Sequence, residues 1–366
     1  MRLADAMLSA RLEANNPLTC LCRNKQIFMT PLDFTIPEKG QLTRLADDLY
    51  WAQFALPFRL NHINLYMIDT PEGWVLIDAG LGDAVTRAHW QDLLNGPLAH
   101  QPVAKIIISH HHVDHMGNAG WLEEITGADV FASAGEIKQT EWLFNLPEED
   151  FTVIMAEAYL HYGLPEDAVD HVRQGGSRFR RLVPSLPRFN VITPGEVIKS
   201  RHGAWHIRSD QGHSHDHLSF MDHRRGLYIA VDFLLPRISP NIAADISNID
   251  ADHLAQYFTY LKEMSALDNE VQVFPGHDWP FKDGGKRAQA LIDHHHQRLE
   301  LLRAALREKP LTTDGAMAVL FGRAFDAHEL YFASGEARAH LIHLMARGEA
   351  EMQRQDGQPD LFVSTD

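Results

Sequence analysis

A chain of 366 residues, 45% hydrophobic and 22% charged, has the composition of a globular protein with one large core and an appendage, which excludes disordered and fibrous classes. Its formal net charge of -16 argues against a general polyanion binder, because close contact with phosphate backbones needs a basic surface. No run reaches the roughly 18 apolar residues of a membrane span, and MRLADAMLSARLEANN lacks a signal-peptide core, so a cytoplasmic protein is expected.

Residues 1 to about 40 contain Pro17, Pro31 and Pro37 and show weak periodicity, the pattern of an N-terminal extension laid over the surface. Cys20 and Cys22 are the only cysteines; one intervening residue strains a disulfide, and without a second pair nearby they read as reduced thiols. INLYMID and WVLIDAG, joined by TPEG, predict a β-hairpin, and VAKIIIS and ADVFAS predict strands around a short helix ended by Gly127. Helical spacing in three segments, with Pro147 and Pro165 near two of their starts, predicts a helical insertion over residues 134 to 190. Strands resume with EVIKS, AWHIRS, HLSFMD and LYIAVD. Leu254, Tyr257, Phe258, Leu261 and Met264 mark an amphipathic helix before the last strand, VQVF. Interleaved strands and helices predict a layered α/β or α+β fold.

After Gly285 three helices and a hairpin around Asp356 and Gly357 give the layout of a winged-helix unit over residues 286 to 366. From Lys286 to Asp366 there are 10 Lys and Arg against 12 Asp and Glu, so the unit is slightly acidic and no DNA partner is expected. Packing or assembly is its expected role.

The chemistry concentrates in SHHHVDHMGN, where His110, His112, Asp114 and His115 form H-x-H-x-D-H at the end of a predicted strand. Imidazole nitrogen and carboxylate oxygen suit zinc, and iron or manganese as well. Further candidate ligands follow other strands: His213 after AWHIRS, Asp232 ending LYIAVD, and His277 after VQVF. That repeated placement is what a site at one sheet edge requires.

H-x-H-x-D-H, then G-H-S, a strand-ending Asp and P-G-H together resemble the metallo-β-lactamase superfamily over about residues 42 to 285, placed here in a domain of residues 41–285. The resemblance implies an α+β fold, an αββα sandwich with a binuclear site in a shallow cleft. It implies one metal on His110, His112 and His213, a second on Asp114, His115 and His277, and Asp232 bridging two Zn2+ per chain, with Fe or Mn as alternatives. A shared hydroxide would attack a polarised carbonyl, Asp114 would handle the proton, and Asp78 would support the ligand loops. Two departures stand out: Val231 precedes Asp232 where the family usually has glycine, which could shift the local backbone, and His215 replaces a proline. His217 matches a family histidine that usually packs.

Among the remaining histidines, His111 alternates with ligands and should point away from the metals, and His294 to His296 read as a solvated helix face. The C-terminal unit resembles that of β-lactamase-like hydrolases related to a mitochondrial endoribonuclease, and the insertion with LPRISPNIA resembles a bacterial hydroxyacylglutathione-hydrolase-like branch. These resemblances imply a thioester or ester hydrolase of small molecules, with a metal-dependent endoribonuclease or phosphodiesterase, or a lactonase, as alternatives. Trp142, Phe144, Phe151, Met155, Tyr159 and Tyr162 supply either an apolar lid or a packing or homodimer surface. Arg237 is open to pairing with an anionic substrate group or to an ordinary salt bridge.

Overall fold

The structure, a computed structural model, describes residues 29–175, 179–249, 251–323 and 325–366. Cys20 and Cys22 lie outside the described residues, as does most of the N-terminal extension. Its described end is anchored at the surface: Met29 is buried, and the Met29 and Leu32 amides donate to Pro236 O and Pro280 O at 3.1 and 2.8 Å.

The first sheet runs in sequence order: β1 (Thr43–Ala46), β2 (Leu49–Ala55), β3 (His62–Thr70), β4 (Gly73–Ile77), β5 (Val103–Ile107), β6 (Asp129–Ala132) and β7 (Phe189–Val191). Short turns make the first four strands antiparallel, including the expected β3–β4 hairpin. From β4 onward the pairs are parallel, which requires crossovers. These are α1 (Ala84–Asn95), then α2 (Val113–Met116) with α3 (Ala119–Thr126), then the insertion. Asp83 caps α1 by accepting from Thr86 N at 2.7 Å, and Gly127, at φ 70°, ends α3. The insertion contains α4 (Ala134–Asn145), α5 (Glu148–Tyr162) and α6 (Glu166–Gly175), as its spacing predicts.

The second sheet comprises β8 (Val197–Lys199), β9 (Ala204–Asp210), β10 (His217–Asp222), β11 (Leu227–Val231) and β12 (Gln272–Pro275). Its only parallel pair, β11 with β12, is bridged by α7 (His253–Met264). Trp51, Tyr66, Ile68 and Ile107 of the first sheet meet Trp205, Phe220, Ile229 and Phe274 of the second. Each such buried side chain contributes about 1.5–3 kcal/mol. Trp90 and Leu122 cover the outer face of the first sheet, while Tyr257, Leu261 and Leu291 cover Tyr228 and Val273 on the second. The result is the expected helix–sheet–sheet–helix sandwich.

The C-terminal unit holds α8 (Gly284–Glu308), α9 (Thr313–Phe321), α10 (Ala327–Ala346) and the antiparallel pair β13 (Ala350–Gln353) and β14 (Leu361–Ser364). The expected solvated face at its start needs correcting, because His295 is fully buried and only His296 of the three is exposed, stacked on Phe258. Among the described residues no helix is long and apolar enough to cross a membrane.

Candidate metal centre

The chemistry gathers where strands of both sheets end. β4 leads to Asp78, β5 to Ser109 and the H-x-H-x-D-H run, β11 to Asp232, and β12 to His277, while His213 lies in the β9–β10 turn. Backbone bonds tie these ends together: Asp78 N donates to Ile107 O at 2.9 Å, Leu218 N to Ser109 O at 2.9 Å, and Gly276 N to Val231 O at 2.8 Å. The second of these joins the two sheets beside the site.

The seven predicted residues come together as two adjoining donor sets: His110, His112, His213 and Asp232, then Asp114, His115 and His277, with donor atoms of each set within 4.8 Å of one another. His110 Nε2 lies 2.9 Å from His112 Nδ1 and 3.3 Å from His213 Nε2. Asp232 Oδ2 stands between the sets, 3.6 Å from His213 Nε2 and 3.4 Å from both His115 Nε2 and His277 Nε2. Asp114 Oδ2 lies 3.5 Å from His277 Nε2 and 4.0 Å from His115 Nε2.

The outer ring nitrogens meet oxygen acceptors, which turns the inner lone pairs toward the centre. His115 Nδ1 donates to Asp78 Oδ2 at 2.8 Å, His213 Nδ1 to Asn241 O at 2.9 Å and His277 Nδ1 to His62 O at 2.8 Å. Asp78 also accepts from Ser109 N at 2.7 Å and Ser109 Oγ at 2.8 Å, and that hydroxyl oxygen faces His110 Nδ1 at 3.0 Å. Inside, His115 Nε2 and Asp232 Oδ1 are buried without a hydrogen-bond partner. Imidazoles so oriented, two carboxylates and orphaned inner atoms fit a divalent metal of the zinc class.

Backbone strain collects here. Asp78, Val231 and Asp278 adopt φ of 67°, 48° and 66°, the left-handed region that disfavours a β-branched residue most. Val231 therefore keeps the local path as a strained residue in a glycine conformation. A Cβ on Gly276 would overlap Asp232 Oδ1 and stand 3.3 Å from His115 Cε1, so only glycine lets the β12 loop pass the carboxylate.

The sets differ electrostatically. Burial, reinforced by neighbouring imidazoles, holds His110 and His112 well below the ordinary histidine range. Burial also works to lower His115 and His277, but the carboxylates of Asp232 and Asp114, joined at His115 by Asp78, together outweigh it, placing His115 well above that range and His277 at about 9. Burial would raise Asp232, yet His277 and His115 hold it well below the carboxylate range.

Beside the first set a cleft is lined by His112, His213, His215, Trp142, Leu143, Phe151, Met155, Ile246 and Tyr331. The insertion's aromatics thus divide: Trp142 and Phe151 line this cleft, whereas Tyr159 and Tyr162 are buried in the core. His215 pairs with Asp245, a bond that raises the imidazole; burial pushes the carboxyl up, but this bond and donors from Ser247 together hold it down at about 2. Arg237 donates twice to Asp278 Oδ1, at 3.1 and 2.7 Å, so it forms a salt bridge. His217 packs between His110 and Phe233, centroids 4.7 and 4.6 Å away. His111 turns to Glu136, which accepts from both its backbone N and Nδ1 at 2.8 Å.

Sequence spacing misses Glu136 and Asn64. Glu136, presented by a helix whose cap Ser133 accepts its amide at 3.3 Å, also accepts from Asp216 N at 2.9 Å, tying the two ligand loops together. Asn64 accepts from Trp51 Nε1 at 2.9 Å and donates to Pro275 O and Asp278 O at 2.9 and 3.1 Å, fixing the His277 loop. The available signal is a lone amide inside the apolar run INLYMI.

Two family models match the chain, described as the Metallo-beta-lactamase superfamily over residues 59–277 and the Metallo-beta-lactamase-like, C-terminal domain over residues 299–364. The chain is 24% identical over 312 residues, 82% of its length and 93% of the other's, to the probable metallo-hydrolase YqjP of Bacillus subtilis (strain 168). Among solved structures it is similar to a beta-lactamase domain protein from Burkholderia ambifaria, with 29% identity, a TM-score of 0.85, and 92% and 98% of the two chains covered. It is also similar to a metallo-beta-lactamase family protein from Thermus thermophilus, with 26% identity, a TM-score of 0.72, and 88% and 100% covered.

Proposed function

Because the chain belongs to the metallo-beta-lactamase superfamily, we propose that it is a binuclear hydrolase of small, uncharged thioesters or esters. The observation that carries the binuclear part is the position of Asp232 Oδ2, within 3.4 to 3.6 Å of ring nitrogens from both donor sets. His110, His112 and His213 would hold one ion and Asp114, His115 and His277 the other, with Asp232 shared. Zinc suits this donor set best, with iron or manganese as compatible replacements.

Two such ions, when bound, supply Lewis-acid polarisation of a carbonyl and bring a coordinated water's pKa near neutrality. Asp114 is the more exposed of the two carboxylates, 18% against 8% for Asp232, and holds or releases a proton at Oδ2 where solvent can exchange it. His112 and His213 line the cleft, so a substrate seated against Trp142, Leu143, Phe151 and Met155 presents its carbonyl to the first set. His111, held by Glu136, lines the same cleft without joining either donor set.

The cleft walls support this substrate class. Most of the exposed lining surface is apolar, no Lys or Arg is among the described lining residues, and the His215–Asp245 pair cancels its own charge. An apolar acyl group suits such walls, whereas a phosphodiester favours cationic clamps. The name of the Bacillus subtilis relative supports hydrolysis without indicating the bond. A cytoplasmic setting accompanies this proposal.

The test is a panel of acyl thioesters of uncharged thiols, esters, lactones and an aryl phosphodiester, run on zinc-loaded protein. The expected outcome is the highest kcat/KM on an acyl thioester or ester, with loss of turnover in Asp232→Ala. Phosphodiester cleavage as the fastest reaction would overturn the substrate class in favour of the nuclease alternative.

A further inference from the structure

Helix α8 places the fully buried His295 against Glu336 and the fully buried His340, which lie four residues apart on one face of α10. Their donor atoms all lie within 4.8 Å of one another, the same span as the two sets of the centre already described. None of the three belongs to that centre.

Hydrogen bonding points to one placement of the protons. His340 Nδ1 lies 2.8 Å from Glu336 O, a carbonyl that only accepts, so Nδ1 carries the proton and Nε2 the lone pair. His295 Nε2 faces Ser239 Oγ at 3.4 Å, and that hydroxyl donates to Pro240 O at 3.0 Å. The serine oxygen is thus an acceptor, His295 is protonated on Nε2, and Nδ1 is bare. The two bare nitrogens, His295 Nδ1 and His340 Nε2, face each other at 3.2 Å.

Opposed lone pairs in a dry interior repel unless a cation joins them. Their spacing matches a tetrahedral edge of about 3.3 Å implied by Zn–N bonds of about 2.0–2.1 Å, and it resembles the 3.3 Å between His110 and His213. Each ring also has its outer nitrogen on an oxygen, the orientation expected of a metal ligand. Arg298 engages Glu336 Oε1 and opposes the burial that raises this carboxyl, and a carboxylate oxygen lies within 4.8 Å of the imidazole donors.

We propose that His295, Glu336 and His340 form a separate structural site for a zinc-class divalent cation at the junction between α8 and α10. Its two histidines are buried, and it takes no direct part in turnover. Arg298 offsets part of the carboxylate charge, so the ion binds more weakly than those of the strand-end centre and leaves first under chelation. Through Ser239 it clamps the segment whose Asn241 O orients His213.

The experiment counts ions by mass spectrometry in the full chain carrying His112→Ala and Asp232→Ala, after zinc loading and dialysis, with and without His340→Gln. The expected result is one more ion per chain with His340 than with Gln. Equal counts would overturn the site and favour a metal-free relay in which Ser239 donates to His295 and His295 to His340. Should the triple variant not fold, anomalous diffraction at the zinc edge on the zinc-loaded wild-type chain decides: a peak between His295 and His340 supports the site, and its absence rejects it.

Discussion

The two sheets build their halves of the strand-end centre in different ways. On the first sheet four candidate ligands sit within six residues, and side-chain carboxylates brace their loop: Asp78 grips His115 and Ser109, and Glu136 grips His111. On the second sheet His213, Asp232 and His277 arrive singly. Backbone carbonyls of Asn241 and His62 orient the histidines, while a strained Val231 and a glycine at 276 make room for the carboxylate. A charge-held half should respond to pH and to isosteric loss of charge. A backbone-held half should respond to added volume and to disturbance of distant contacts.

The largest expected effect tests the second half. Gly276→Ala pushes a methyl into Asp232 Oδ1, on the carboxylate whose Oδ2 stands between the two donor sets. Its loss of kcat/KM should exceed the 10–100-fold typical of an outer-shell change, roughly beyond 100-fold. A chain that tolerates alanine there with full zinc content would show that the carboxylate has slack the structure does not suggest.

Next comes acid sensitivity of the first half. Burial would raise Glu136, but His111 and donors from Ser214 and Asp216 outweigh it and hold the carboxyl at about 2, against an ordinary 4.5. A depressed carboxylate stabilises the fold above its unfolded pKa and loses that contribution as pH falls from 4.5 through about 2. At roughly 1.36 kcal/mol per unit the amount is on the order of 3 kcal/mol. Denaturant midpoints measured down that window should fall less steeply in Glu136→Gln than in the wild type; parallel slopes would place the acid response elsewhere.

Asp78→Asn keeps the shape but removes the charge on His115 and the strongest acceptor of Ser109. Zinc affinity, read by competition with a chromophoric chelator, should drop about 10–100-fold. An unchanged affinity would erase the contrast between a charge-held and a backbone-held half.

The smallest effect belongs to Val231→Gly. Relief of left-handed strain, about 1–2 kcal/mol, competes with lost burial of about 1.5–3 kcal/mol for a side chain that is 1% exposed. A net destabilisation of about 1 kcal/mol in urea unfolding, with turnover retained, is expected. A large loss of turnover would mean that the valine side chain itself positions Asp232.

The same contrast explains what the sequence makes legible. H-x-H-x-D-H is visible because its members are neighbours, and His213, Asp232 and His277 because each follows a recognisable strand. Glu136 and Asn64 stay hidden because their partners lie far along the chain, on loops that only the assembled sandwich brings near. β1 and β2 escape notice because Asp47 and Asp48 interrupt the apolar pattern with a tight turn. His295 does carry a signal. It shares the stripe of Leu291, Leu299 and Leu302 on α8, so its burial follows from helical spacing once that whole face is covered.

The segment between Asp232 and α7 is gripped from the far side. Arg287 donates to Leu235 O and Ile238 O at 2.6 and 2.8 Å, and Ala244 N donates to Gly335 O at 2.9 Å, while Asn241 O reaches His213. Hydrolase domains and C-terminal units of this kind are therefore poor candidates for free recombination. Exchanging the unit for a relative's would exchange part of the mould in which a ligand is set, and chimeras should inherit their metal affinity from both parents.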